Sequence, residues 1–341
     1  MNRARRRAGG YLLAALMACS ASATWAAEEV DFDPRVNEQT RQLVSELVEQ
    51  GVPEQWLTQA LEQATFRQNV LDAMAGAAER RLRWFEYRDI FLNQQRIEEG
   101  AEFMREHAET LARAEEVFGV APEVITAIIG VETYYGRHKG THKVLDSLAT
   151  LAFHHPQRGR FFRGELAAFL AIAYEQGVEP ETLYGSYAGA MGYPQFIPTS
   201  YQAYAVDFDD DGIRDLWNNP VDAIGSVANY FAEHGWQRDG AIYHDAVGPQ
   251  EAPEGIAFNQ TSRPTLTAAD MVEQGITSEA PLAPDAPVVP LLLDFSEDEQ
   301  GYRLGEFNFY VITRYNHSHL YGMAVAELAD AIQHQFEIEH D

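Results

Sequence analysis

Val124-Ile125-Thr126-Ala127-Ile128-Ile129-Gly130-Val131-Glu132 is an apolar helical run that ends in a single carboxylate. Pro122 just before it suits a first helical turn. Tyr134-Tyr135-Gly136 just after it supplies aromatic surface and a tight exit. A carboxyl at the end of such a run is partly desolvated, which raises its pKa. The helix dipole acts in the same direction, because an anion is disfavoured near a helix C-terminus. Glu132 therefore reads as an acid that stays protonated towards neutral pH and can donate to an oxygen of a scissile bond. The competing reading is a Glu132–Arg137 pair that only locks a turn.

A second stretch, residues 185–199, reads Gly-Ser-Tyr-Ala-Gly-Ala-Met-Gly-Tyr-Pro-Gln-Phe-Ile-Pro-Thr. Three glycines and two prolines among small and aromatic residues predict a shaped loop and no regular element. Small residues let a bulky ligand approach the backbone, while Ser186, Tyr187 and Gln195 offer hydrogen bonds. Phosphate cradling fails for lack of a Gly-Lys-Ser/Thr ending. No Gly-x-Ser-x-Gly elbow is present, and the lone cysteine, Cys19, lies near the start, so nucleophilic serine or cysteine chemistry is disfavoured.

Around these two stretches the chain divides by pattern. Residues 33–118 are helical, with Leu43, Val44, Leu47 and Val48 at helical spacing and one helix running through Phe103, Leu111 and Val117. Residues 160–177, 220–235 and Ala324–Phe336 also read as helix. Short strands are predicted at Ile242–Val247, Gly255–Asn259, Val288–Phe295 and Arg303–Thr313, separated by Pro, Gly and acidic turns. The result is an α+β protein, mainly α, with a small β-rich unit inserted before the last helix.

The first residues are a separate matter. Arg3, Arg5, Arg6 and Arg7 precede an apolar run over residues 11–18 and then small residues through Ala27, the layout of a secretory signal. The run is too short to span a bilayer. Cys19 follows Leu16-Met17-Ala18 as the acceptor of a bacterial lipoprotein would; alternatively it is lost with a leader cut after Ala23 or Ala26. The expected location is the periplasm, either free or tethered to the outer membrane. A single cysteine permits no internal disulfide even in an oxidising compartment. The 341 residues carry a net charge of -27 and only two lysines, Lys139 and Lys143. Nucleic acid needs basic patches and is excluded as a partner.

Asp207-Phe208-Asp209-Asp210-Asp211-Gly212-Ile213 places carboxylates at positions 1, 3 and 5, glycine at 6 and a carbonyl at 7 of an EF-hand-like loop. That spacing predicts a structural calcium ion, although Asn218 stands at the usual position 12 and offers no bidentate carboxylate. A solvated acidic turn is the alternative. His138, His142, His154 and His155 lack a His-Glu-x-x-His pattern and are read as surface or groove residues.

Together, Gly130-Val131-Glu132-Thr133 and the 185–199 loop resemble the membrane-bound lytic murein transglycosylases of type B. So do Leu145-Asp146-Ser147-Leu148-Ala149-Thr150-Leu151, Asn229-Tyr230-Phe231, His234-Gly235-Trp236 and Thr313-Arg314-Tyr315-Asn316-His317-Ser318. The resemblance covers nearly all of the chain beyond the leader. It implies a lysozyme-like helical core over 114–235 plus 312–322, an α domain over 32–113 plus 323–338, and a β domain over 236–311. It further implies Glu132 as sole catalytic acid and base. Ser186, Tyr187, Gln195, Tyr230, Tyr87, Tyr315, Asn316 and Tyr321 fall on the groove that takes peptidoglycan strands. The metal loop would span 207–222 and close on a later acid, Asp222, after Asp207, Asp209, Asp211 and Ile213. Phe161 stands where related sequences carry tyrosine. No organic cofactor is implied; wall-synthesis proteins are conceivable partners.

The implied reaction cleaves the β-1,4 bond from N-acetylmuramic acid to N-acetylglucosamine without net hydrolysis. Most glycosidases use a second carboxylate. Asp146 and Glu165 are the candidates, and Asp146 reads more simply as a helix N-cap. Substrate assistance by the N-acetyl carbonyl would remove that need and leave a 1,6-anhydro end. A hydrolytic muramidase and a non-catalytic glycan-binding scaffold are the rival readings.

Overall fold

The computed structural model describes residues 31–77 and 82–338; the basic head, the apolar run and Cys19 lie outside the described residues. Helices Glu38–Glu49, Glu54–Glu62, Gln68–Ala77, Trp84–Phe91, Gln94–Glu106 and Ala108–Phe118 come first. Asn37 and Asn93 cap two of them, accepting the N–H groups that have no partner inside the helix. The single helix expected through Phe103, Leu111 and Val117 is two. The chain bends at His107 (φ -113°, ψ 20°), which ends one helix and starts the next. No Pro or Gly marks that break.

Helices Pro122–Thr133, Val144–His154, Gly159–Glu175, Pro198–Tyr204 and Pro220–Glu233 follow. Three of them open on a proline, whose missing N–H costs nothing in a first turn. Every residue from Val124 to Gly130 is buried, as expected of a helix that is apolar all round. Its neighbours are helices Gln94–Glu106, Ala108–Phe118, Pro220–Glu233 and the last helix, His319–Ile338. Ile125, Ile128 and Ile129 are each 0% exposed, and each burial stabilises the fold by about 2 kcal/mol. The helix bearing Glu132 is thus a rigid central rod.

A two-stranded ribbon pairs His142–Lys143 with Tyr184–Gly185. A five-stranded antiparallel sheet has the order Leu266–Thr267, Pro287–Asp294, Gln300–Gly305, Tyr243–Val247, Thr277–Ser278. One part of it packs Val289, Leu291 and Leu293 against Trp84, Phe309 and Met323. Another gathers Ala246, Met271, Ile276, Val288, Tyr302 and Leu304 into a cluster of its own.

Two strand expectations are corrected. The stretch from Gly255 to Asn259 forms no strand, because Gly255 (φ 87°) and Asn259 (φ 62°) are left-handed. The Asn259 side chain instead bonds both the N–H and the carbonyl of Leu292. Residues 303–313 are strand only to Gly305; Phe307–Tyr315 is a helix. Its aromatic and β-branched residues favour extended structure as single residues. Burial of Asn308, Phe309, Val311 and Ile312 at helical spacing overrides that preference.

Candidate active site

Helix Pro122–Thr133 stops one residue beyond Glu132, and Tyr134 (φ 52°), Tyr135 (φ 58°) and Gly136 (φ 85°) are all left-handed. Two consecutive non-glycine residues in that region cost on the order of 1 kcal/mol each and persist only where the surroundings fix them. Here the fixings are visible. The Tyr135 hydroxyl donates to the Arg96 carbonyl at 2.7 Å. Arg96 Nη1 donates to the Gly130 carbonyl at 3.1 Å, and its guanidinium lies 4.5 Å from the Tyr134 ring centroid. Thr133 Oγ1 donates to the Tyr193 carbonyl and accepts from the Gly136 N–H, both at 3.0 Å. Arg96 escaped the reading of the sequence, and Thr133, Tyr135 and Tyr193 entered it only as parts of motifs, with no clamping contact assigned to them. The Tyr-Tyr-Gly triplet announced the turn but not its clamps.

Glu132 does not pair with Arg137, which holds Glu99 instead. Its Oε1 accepts from the Tyr321 hydroxyl at 2.7 Å. Glu132 keeps part of its surface accessible, yet burial of its carboxyl pushes the pKa up to about 7. The Tyr321 hydrogen bond opposes that rise without cancelling it. Near neutral pH, then, both protonation states are accessible, as one group acting first as acid and then as base requires.

Aromatic side chains surround this carboxyl. Tyr321 is buried, and the Tyr315 ring lies nearly parallel to it, 12° apart in plane with centroids at 6.4 Å. Tyr315 donates to the Pro194 carbonyl at 2.6 Å and packs on Tyr230 and Phe196. Tyr230 donates to the Arg314 carbonyl at 2.7 Å. Burial, and then the charge of Glu132, hold the hydroxyls of Tyr315 and Tyr321 well above the ordinary tyrosine value. Tyr87 is pushed up to about 12 by the same two causes. All three remain neutral donors at any working pH. Of the residues singled out in the sequence, Tyr87, Tyr315 and Tyr321 thus sit in the field of Glu132, and Tyr230 backs them.

The 185–199 stretch folds as a bridged loop. Gly185 faces Met191, and Met191 faces Phe196. Ser186 Oγ accepts from the N–H groups of Ala188 and Ala190 at 3.2 and 3.0 Å. Both hydroxyl lone pairs are thereby engaged and the O–H is left to donate elsewhere. Gln195, left-handed at φ 50°, directs Nε2 to the carbonyls of Lys139 and Gly192, at 3.3 and 2.9 Å. Its amide oxygen is left as an acceptor. Tyr187 lies edge-on to His142 with centroids 6.4 Å apart. Asn316 is exposed at the end of helix Phe307–Tyr315.

The two other carboxylates considered for chemistry are occupied elsewhere. Asp146 is not an N-cap: it sits inside helix Val144–His154, buried, and accepts from Thr65 N–H and Arg67 Nε. Glu165 is buried and holds both the N–H and the hydroxyl of Thr199.

The acidic loop is shaped before any ion is considered. Asp210 (φ 60°) and Gly212 (φ 90°) are left-handed. Asp207 accepts from the N–H groups of Asp211 and Gly212, and Asp211 from that of Ile213. Asp207, Asp209 and Asp211 each offer an oxygen, all within 4.8 Å of one another. Among the described residues this is the one such cluster of His, Cys, Asp or Glu, so the histidines form no metal site there. Asp222 lies outside the trio. It is fully buried, its oxygens accept from Phe208 N–H (2.7 Å) and Asp215 N–H (2.8 Å), and burial pushes its pKa up to about 6.

Comparison with known proteins fits this geometry. The family model described as the transglycosylase SLT domain matches residues 35–330. The membrane-bound lytic murein transglycosylase B of Escherichia coli (strain K12) is 44% identical over 250 residues, covering 73% of this chain and 67% of its own. The crystal structure of the soluble lytic transglycosylase SltB1 from Pseudomonas aeruginosa superposes with a TM-score of 0.82 at 43% identity, over 87% of this chain and 98% of that one. The Escherichia coli lytic transglycosylase Slt35, solved in complex with calcium, gives 0.81 at 39% identity, over 91% and 97%. The architecture is therefore the lysozyme-like, mainly helical α+β fold of these proteins. By sequence and structure alike, this chain is an enzyme that belongs to the SLT-domain transglycosylases of the membrane-bound lytic murein transglycosylase B type.

Proposed function

We propose that the enzyme cleaves the β-1,4 bond from N-acetylmuramic acid to N-acetylglucosamine in peptidoglycan and leaves a 1,6-anhydro end. The observation that carries this reading is Glu132, with its pKa raised to about 7 and a single hydrogen-bond donor, Tyr321. Protonated Glu132 donates to the leaving glycosidic oxygen as the bond to the anomeric carbon breaks. The substrate's N-acetyl carbonyl steadies that carbon, and the Ser186 O–H, left free by the two N–H groups its oxygen accepts, would donate to that carbonyl. Glu132, now an anion, removes the proton of the muramic acid 6-hydroxyl, whose oxygen closes on the anomeric carbon. No second carboxylate is needed, in keeping with the structural tasks of Asp146 and Glu165. Tyr87, Tyr187, Gln195, Tyr230, Tyr315, Asn316 and Tyr321 would line the sugar groove.

Asp207, Asp209, Asp211, the Ile213 carbonyl and Asp222 would hold a calcium ion. Three oxygens already gathered within 4.8 Å suit a hard cation of high coordination number. Each Asp222 oxygen spends one lone pair on a backbone N–H and keeps another. When bound, the ion would tie the loop to helix Pro220–Glu233, a structural role. The proposed division is an α domain (32–113 plus 323–338), a core (114–235 plus 312–322) and a β domain (236–311). The separate cluster around Met271 and Leu304 supports the β domain. Helices Phe307–Tyr315 and His319–Ile338 run across the borders, so the units would share helices. A periplasmic location, with or without a lipid tether at Cys19, rests on the leader. Among the described residues no helix is long and apolar enough to cross a membrane.

The deciding test treats intact sacculi with purified residues 28–341 and weighs the released muropeptides. Products lighter than the hydrolysed ones by one water, lost with Glu132→Gln, are expected. Reducing-end muramic acid instead would make the enzyme a muramidase, and no release from folded protein would make it a scaffold.

A further inference from the structure

Lys139 is one of two lysines in a chain of net charge -27. Its half-buried ammonium donates to the Trp217 carbonyl at 2.5 Å and lies 4.5 Å from the centroid of the Tyr193 ring. Burial holds its pKa below the ordinary lysine value, and the charge of Asp215 opposes that shift. A charged donor in such a partly dry place bonds more strongly than one in water.

The two contacts belong to different segments. Trp217 follows the acidic loop, and its indole N–H donates at 3.0 Å to the carbonyl of Tyr184, just before the 185–199 stretch. Tyr193 lies within that stretch, and its N–H donates to the Leu216 carbonyl at 2.9 Å. Lys139 thus stands where the turn after Glu132, the groove loop and residues 215–217 meet.

The backbone of the same turn touches groove residues on both sides. The Lys139 carbonyl accepts from Gln195 Nε2 at 3.3 Å. Gly140 (φ 96°) lies so close to the loop entrance that a Cβ there would fall 2.0 Å from the Gly185 carbonyl and 2.6 Å from the Ser186 nitrogen. Gln195 is left-handed at φ 50°, a conformation that a non-glycine residue keeps only where its surroundings fix it. Its side chain is fixed by two carbonyls, those of Lys139 and Gly192. The placing of the 139–140 turn therefore decides where the free amide oxygen of Gln195 points.

We propose that the Lys139 side chain is a positioning residue for substrate binding: by pinning its turn to Trp217 and Tyr193, it holds Gln195 in place for the glycan strand. The proposal rests on the peptidoglycan reading of the groove. Lys139 acts through Gln195 and not through Glu132, whose turn is clamped separately by Arg96 and Tyr135.

The test uses soluble peptidoglycan strands freed of cross-links by an endopeptidase, with Lys139→Met, Lys139→Gln and Lys139→Arg. The two uncharged variants are expected to raise KM roughly 3- to 10-fold, the range of a partly buried cation contact. Their kcat should change less than about 2-fold, the mark of lost binding with the chemistry intact. Lys139→Arg keeps a charge over the ring and a donor for the carbonyl, and should recover most of the loss. In a Gln195→Ala background, Lys139→Met should raise KM less than about 2-fold, because the residue it positions is gone. Equal losses in the two backgrounds, a fall in kcat at unchanged KM, or a lower melting temperature without kinetic change would each make Lys139 a structural tie only and overturn the proposal. Binding of the same strands in a Glu132→Gln background reads the contrast without catalysis. A Glu132→Gln parent that binds no strand would overturn the peptidoglycan reading and this proposal with it. A parent that binds, matched by an equally tight Lys139→Met derivative, would overturn this proposal alone.

Discussion

The Tyr321 hydroxyl donates to Glu132 Oε1 at 2.7 Å, joining the first residue group of the last helix to the end of the central one. This bond favours the carboxylate, whereas burial favours the neutral acid and is the larger effect. Removing the hydroxyl removes the opposing contribution. Tyr321→Phe should therefore raise the Glu132 pKa further, by about one unit if the bond is worth about 1.4 kcal/mol. The alkaline limb of the kcat/KM profile should move up by that amount. An unmoved limb would mean that the profile reports another group.

Glu132→Gln should lower turnover by at least about 100-fold, the usual lower bound for a general acid–base group. It should also stabilise the fold, in a pH-dependent way. The folded pKa of about 7 lies above the ordinary 4.5. The folded state thus binds the proton more tightly, and this favourable contribution is complete below about pH 4.5. It is lost as pH rises through 7, where an ionised carboxylate must be kept buried. Wild type and variant should melt together at pH 4, and by pH 8 the variant should be more stable, by at most about 3 kcal/mol. Parallel melting curves at both pH values would contradict the raised pKa.

The central helix was legible because its whole circumference is apolar, and the acid at its end because burial and dipole act on it in one direction. The glycine-rich loop was legible as a loop, but the two N–H groups taken up by Ser186 Oγ depend on how Ala188 and Ala190 turn back. Asp146 was misread: its position before an apolar run mimics an N-cap, yet its partners, Thr65 and Arg67, lie about 80 residues away. Residues 307–313 were misread because β-branched and aromatic side chains were weighed one by one, whereas packing against Trp84 and the last helix chose the conformation. The clamps on the Tyr134–Gly136 turn come from Arg96 and Tyr193, remote in sequence, and no local pattern announces them.

Calcium should raise the melting temperature in a concentration-dependent manner. A ligand at one hundred times its dissociation constant stabilises the folded state by about 2.7 kcal/mol. Asp209→Ala is the informative variant, because the only side chain Asp209 is seen to hold is that of Asn219, whereas Asp207 and Asp211 also shape the loop backbone. Without calcium, Asp209→Ala should melt at or above wild type, since one of three crowded carboxylates is gone. With calcium it should lack the increment, while kcat stays unchanged. Equal increments in both proteins would place the ion elsewhere.

Gly136→Ala should damage catalysis more than its size suggests. A Cβ at Gly136 would lie 1.9 Å from the Tyr193 ring, and the residue's φ of 85° is strained for alanine. Either the ring or the turn must move, at a cost of about 2–4 kcal/mol from overpacking and strain together. Tyr193 also accepts from Thr133, the residue next to Glu132, so displacement would reach the acid. A shift of about 1 Å at a reacting group can cost on the order of 100-fold, and a fall in kcat of at least about 10-fold is expected here. Adding Tyr193→Ala relieves the clash but keeps the strained φ, and should restore part of the stability and little of the rate, because the ring that abuts the turn is gone. Full activity in the single variant would show that the turn tolerates movement without carrying Glu132 along.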